Sequence, residues 1–175
     1  VISTSRGQLA YDATYYFSST DINNNGDVVW SQSDATGTYQ IYVLNNGSGT
    51  AFPVTTDPFH HDFPTINDSG EIVWSQFDFI GMPRLVSSLR GQLTDSCPAG
   101  ADHWAPDLNE CGSVVFTAFN PGLGRGEVYL LGSAGACITP PTGGGACAGL
   151  TPVSATGEDQ QGAAINGLGE IVWSE

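Results

Sequence analysis

Just upstream of the recurring asparagines Asn23, Asn67, Asn109 and Asn166 lie Tyr16 and Phe17, then His60, His61 and Asp62, then Asp102 and His103, then Asp159 and Gln160. All three histidines of the chain fall in these matched places. Imidazole and carboxylate groups converging on one point could ligate a divalent cation or orient a polar ligand, so His60, His61, Asp62, Asp102, His103 and Asp159 form the candidate metal or ligand site. The competing expectation is that they bond to neighbouring strands and to water, as recurring polar groups in any repeat must. A second candidate, Asp21-Ile-Asn23-Asn-Asn25-Gly-Asp27, matches the first half of a calcium loop, and calcium would suit an acidic chain. Its twelfth position is Gln32 instead of glutamate, and a plain turn already explains the glycine. No catalytic set is assigned. The chain has neither a G-x-S-x-G elbow nor an H-E-x-x-H pair, and Gly122-Leu-Gly-Arg-Gly126 lacks the lysine and helix of a phosphate loop.

The elements that must position these groups are announced by repetition. DINNNGDVVWS at Asp21 to Ser31 returns as TINDSGEIVWS at Thr65 to Ser75, DLNECGSVVFT at Asp107 to Thr117 and AINGLGEIVWS at Ala164 to Ser174. The shared asparagines recur at the period of about 40 to 45 residues of a four-stranded propeller blade, and the last interval is stretched by an insertion between Cys137 and Cys147. Each phrase reads as a hairpin: asparagine and glycine at the turn, then β-branched and aromatic residues. Gly26, Gly70, Gly112 and Gly169 hold the one turn position where a positive φ favours a residue without Cβ. Trp30, Trp74, Phe116 and Trp173 share one repeat position, which predicts packing between blades and not a ligand platform.

The two ends are halves of the same unit. Residues 1–10 align with the outer strands of a blade (compare Arg84 to Leu93), and Ala164 to Glu175 supply only inner strands. The expected architecture is all-β, a single domain over 1–175: a four-bladed β-propeller with repeats at about 21–64, 65–106, 107–163, and 164–175 plus 1–20. The fourth blade is completed by both ends, either within one chain or by strand exchange between subunits, and either closure removes sheet edges that would otherwise recruit other strands.

Composition bounds the partners. The net charge is −14, from eighteen acidic residues and four arginines (Arg6, Arg84, Arg90, Arg125) with no lysine, so nucleic acid would be repelled. The arginines are left to pair with acidic patches of a neighbour. No apolar run approaches the roughly 20 residues of a membrane span. Four cysteines without CxxC spacing predict two disulfides, Cys97–Cys111 and Cys137–Cys147, and with them a secreted protein at the cell surface or outside it, the periplasm being the other compartment that fits. The start at Val1 reads as a processed form. Asn46-Gly-Ser48 and Asn67-Asp-Ser69 fit the glycosylation sequon.

Ile41-Tyr-Val-Leu44, Asn46-Gly-Ser-Gly49, Thr55, Asp62, Pro64, Asn67-Asp-Ser-Gly70 and Ile72-Val-Trp-Ser75 together resemble the TolB-type propeller repeat, once per blade over nearly the whole chain. The turn departs from it, with Asn-x-x-Gly where the family usually has Pro-Asp-Gly. The family's members commonly carry six or more blades, against four here. The resemblance implies a scaffold for protein contacts, for ligand binding or, in a few relatives such as lyases with central metal-binding histidines, for catalysis.

The function expected from these observations is a non-catalytic extracellular structural or interaction module that assembles head-to-tail into filaments through terminal half-blade strand exchange. Its partners are further copies of itself or other extracellular proteins. The alternative is a propeller that binds a metal or ligand, or acts as a lyase or hydrolase, at the His/Asp ring. No cofactor is required by the first reading; a divalent cation such as calcium belongs to the second.

Overall fold

The structure, a computed structural model, describes residues 1–10, 13–94, 102–132, 150–153 and 157–175. Among these there is no helix, and so none long and apolar enough to cross a membrane. The chain opens with a short hairpin, β1 (Ile2–Ser3) and β2 (Gly7–Gln8). Sheet I follows, built from β3 (Phe17–Ile22), β4 (Val28–Ser33), β5 (Tyr39–Leu44) and β6 (Phe52–Pro53). Sheet II contains β7 (His60–Ile66), β8 (Ile72–Phe77), β9 (Pro83–Ser87) and β10 (Gly91–Gln92). Sheet III contains β11 (Asp102–Leu108), β12 (Val114–Asn120), β13 (Arg125–Leu131) and β14 (Leu150–Pro152), and a last pair, β15 (Gln161–Ile165) and β16 (Ile171–Ser174), closes the order. Strands pair antiparallel in sequence order within each sheet. Each sheet begins ahead of the repeated phrase, at 17, 60, 102 and 161, because the phrase starts inside the first strand.

The asparagine closes every turn between the first and second strands. Asn23, Asn67, Asn109 and Asn166 each accept, on Oδ1, the amide of the residue four places on, at 2.9 to 3.0 Å. The glycine that follows sits at φ between 77° and 84° in all four, as the turn requires.

The sheets pack face to face through the repeated aromatic position. Trp74 of sheet II lies with Val29 and Ile41 of sheet I, and Phe116 of sheet III lies with Val73 and Leu85 of sheet II. Trp173 of the last pair lies against Val115 and Val128 of sheet III. Trp30 meets Val1, Leu9 and Ala10 of the first hairpin, so that hairpin covers sheet I as β9 and β10 cover sheet III.

The fourth blade differs from expectation. Sheets I, II and III have four strands each, but among the described residues β1–β2 and β15–β16 form separate two-stranded sheets. Among the described residues the main contacts between first strands run in succession, β3 with β7, β7 with β11 and β11 with β15.

Candidate functional site

The six side chains grouped as a metal or ligand site are divided by the fold. His61 is fully buried. Its Nδ1 accepts the Trp74 Nε1–H at 3.0 Å, which leaves the proton on Nε2 to be donated to Asp57 Oδ1 at 2.8 Å. Both nitrogens are therefore committed to the neutral ring. His103 occupies the same place in sheet III, fully buried with its ring edge-on to Phe116, and Gln160 takes the place in the last pair, its Oε1 accepting the Val128 amide. His60 is exposed, accepts the Tyr39 amide on Nδ1 and lies in a cleft of about 460 Å³ with Tyr39, Asp62, Phe77, Asp78 and Phe79. Asp62 accepts Ser18 and Ser31 hydroxyls and the Phe63 amide. Asp159 is exposed and accepts the Gly126 amide at 2.7 Å, a bond that holds its carboxyl below the usual range. Asp102 is half-buried on β11. Among the described residues no three His, Cys, Asp or Glu are grouped to hold a metal.

The physical reason is a β-bulge in each first strand. The β7–β8 register shifts between Asp62 and Thr65, and the β11–β12 register between Trp104 and Asp107. Phe63 and Ala105 take the extra position at φ 55° and 47°, unusual for residues with a Cβ. The shift turns His61 and Ile66, an odd number of residues apart, onto the same Trp74, so the imidazole enters the core between sheets.

Burial holds the His61 pKa below that of a free imidazole, with the Asp57 carboxylate opposing it and His60 adding to it. A neutral folded form and a protonated unfolded form make stability fully present above about pH 6.5 and lost as pH falls below that value. Unfolding titrations at pH 7.5 and pH 5.5 are expected to show this loss, and His61→Gln, which installs the residue the chain itself uses at Gln160, is expected to flatten it. An undiminished slope in that variant would remove His61 as the cause.

The proposed calcium ligands hydrogen-bond within the first repeat and across to the second. Asp21 Oδ2 accepts Ile66 N at 2.9 Å and Thr65 Oγ1 at 3.0 Å, while Asp27 accepts the Asn23 side chain and the Asn46 amide. Asn25 Nδ2 donates to the Asp68 carbonyl, and Asn23 Nδ2 to the Asn67 carbonyl at 3.0 Å. Asp107, not singled out from sequence, does for β15 what Asp21 does for β7 by accepting Ile165 N at 2.7 Å. Burial raises the Asp107 carboxyl pKa. The signal that could have found it is its repeat position, two residues before the asparagine, shared with Asp21.

Three of the four arginines form an ion pair inside the chain. Arg84 pairs with Asp78 at 3.6 Å, Arg90 with Glu71 at 2.6 Å and Arg125 with Glu127 at 3.3 Å. Arg6 reaches only Asn46 Oδ1, at 3.5 Å. Cys111, in the β11–β12 turn, is disulfide-bonded, while Cys97, Cys137 and Cys147, and with them both expected pairings, lie outside the described residues. Asn67 is buried with Nδ2 bonded to Asn109 O, so of the two sequons only Asn46 is exposed.

The arrangement left with unmet bonding capacity is at the two ends. Among the described residues β4, β8 and β12 each pair on both edges, whereas β16 pairs only with β15, and β1 only with β2. Apolar positions follow suit: Val29, Val73 and Val115 are fully buried, but Val172, their equivalent in β16, is 59% exposed. Ile66, Leu108 and Ile165 are buried, but Ile22, their equivalent in β3, is 57% exposed.

No family model and no curated protein matches the sequence. Among solved structures the chain is similar to a TolB protein from Agrobacterium tumefaciens, with a TM-score of 0.60 and 15% identity over 83% of this chain and 51% of that one. The fold is a β-propeller fold. The propeller likeness extends to dipeptidyl peptidase 4 of Porphyromonas gingivalis, with a TM-score of 0.62 and 12% identity over 93% of this chain and 23% of that one. The chain thus spans about half of one propeller protein and about a quarter of the other, and its four-stranded sheets I to III are blades 1 to 3, with one two-stranded sheet before them and another after.

Proposed function

We propose that this chain is a non-catalytic extracellular structural module that assembles head-to-tail, the inner half-blade β15–β16 of one copy completed by the outer half-blade β1–β2 of the next. The observation that carries the reading is the match between the two ends. Positions buried at every internal junction are exposed at Val172 on one end and at Ile22 on the other, with an unpaired strand edge beside each. Joining them would bury both apolar positions and pair both edges, which is β-augmentation between copies. The contact is heterologous, so it repeats. The commitment of His61 to Trp74 and Asp57 supports a structural use of the histidines over a catalytic one.

The test uses Ile2. In blade 2, Leu85 bonds outward to β10 through Leu93 N, leaving Val86 to face β8, and Leu9 N bonds Val1 O in the same register. Ile2, 83% exposed, is therefore the residue whose amide faces the missing neighbour. Ile2→Pro removes that donor without touching the hairpin's own bonds. Wild-type chain is expected to form filaments visible by electron microscopy at raised concentration, and Ile2→Pro to remain single particles with an unchanged unfolding curve. Wild-type chain that stays monomeric, or a Ile2→Pro variant that polymerises equally well, would overturn the reading.

A further inference from the structure

Blade 2 shows what locks an inner pair to an outer pair in this repeat. Glu71, buried at the start of β8, accepts Arg90 Nε at 2.6 Å and the Ser87 hydroxyl. Beside it Ser88 accepts the Ile72 amide on Oγ at 3.0 Å and donates its own amide to Ile72 O at 2.8 Å. Blades 1 and 3 have no such set, for Asp27 and Ser113 stand where Glu71 does.

The two chain ends carry the set divided between them. Glu170 stands in the place of Glu71, followed by Ile171-Val-Trp-Ser174, identical to Ile72-Val-Trp-Ser75. Ser3, Thr4 and Arg6-Gly-Gln-Leu9 stand in the places of Ser87, Ser88 and Arg90-Gly-Gln-Leu93. The geometry of the first hairpin is already that of blade 2. Ser3 Oγ accepts the Ser5 and Arg6 amides at 3.3 and 3.2 Å, as Ser87 Oγ accepts those of Leu89 and Arg90 at 3.1 Å. Gly7 and Gly91 share a φ of 71° and 72°. The charged groups, however, lack the ion pair of blade 2: among the described residues Glu170 is exposed and holds Asn166 Nδ2, and Arg6 reaches only Asn46 Oδ1, at 3.5 Å.

We infer that Arg6 of one copy pairs with Glu170 of the next, with Ser3 adding a hydroxyl to the same carboxylate and Thr4 taking the Ile171 amide, so that the partner specified for each end is a second copy of this chain. The inference rests on the head-to-tail reading above and adds its specificity. The register it sets places Ile2 opposite Trp173, as Val86 lies opposite Trp74. A slip of one residue would point Ile2 to the wrong face and leave both charges buried without partners, which disfavours other registers and other partners.

Charge exchange between two preparations tests it. Arg6→Glu and Glu170→Arg each create a like-charge contact in their own polymers, and each alone is expected to need about 100-fold more protein to assemble. Mixed in equal amounts, every junction between unlike copies regains opposite charges, and assembly is expected to return with the two variants alternating. Either variant assembling alone as the wild type does, or a mixture that fails to recover, overturns the inference. The head-to-tail reading stands or falls separately, on Ile2→Pro: if that variant is blocked while both charge variants polymerise freely, strand pairing survives and the Arg6–Glu170 pair does not.

Discussion

Phe116→Ala is expected to destabilise the chain by about 3–5 kcal/mol. Phe116 is fully buried in the cluster that joins blades 2 and 3, with Val73, Leu85, Leu108, Val114 and Leu131 around it. Its ring meets the edge of His103 at 5.4 Å between centroids and stacks on Tyr129 at 6.0 Å. The hole left by the benzyl group cannot be filled by the strand backbones, whose ladders to β11 and β13 fix their separation. Trp173 holds the same repeat position but is only partly buried, so Trp173→Ala is expected to cost no more than about half as much in the separate chain. Denaturant unfolding of the two variants at low concentration measures the difference. Equal losses would mean that the last half-blade is already covered on its open face.

The turns and the inter-blade aromatics were legible in the sequence because each rests on a local rule repeated four times. Gly70 must adopt a positive φ and Trp74 must find an apolar face wherever the blade is placed. What His61 does was not legible, because the bulge at Phe63 leaves no mark in residue spacing, and a single inserted residue exchanges the two faces of a strand. The pairing of Arg90 with Glu71 was hidden for a different reason. Nothing in the spacing of the two residues announces that β8 and β9 bring them within 2.6 Å, and only the register does. Once it is known, the matching Arg6 and Glu170 can be read from the sequence alone. The halves at the two ends were recognisable as halves, but whether they meet depends on the curvature of the whole arc, which is set by contacts between first strands and not by any one segment.

Those contacts make Asn67→Ala the second severe substitution. Asn67 accepts the Glu71 amide and the Ser69 hydroxyl on Oδ1, and through Nδ2 donates to Asn109 O at 3.3 Å, while its own carbonyl receives Asn23 Nδ2. Alanine would leave the Glu71 amide and the Asn109 carbonyl without their side-chain partner at a buried junction, at a cost of about 2–4 kcal/mol. The same side chain at Asn166 has the turn bonds but no onward link, since its Nδ2 reaches only Glu170. Water can replace bonds in that exposed turn, so Asn166→Ala is expected to cost about 1 kcal/mol or less in isolated chains. If copies join head-to-tail as proposed, the line of donors running from Asn23 to Asn67, Asn109 and Asn166 continues to the carbonyl of Asn23 in a following copy. On that reading Asn166→Ala weakens assembly far more than it weakens folding, and sedimentation beside unfolding measurements separates the two. Equal effects on both would break the analogy between the internal junctions and the terminal one.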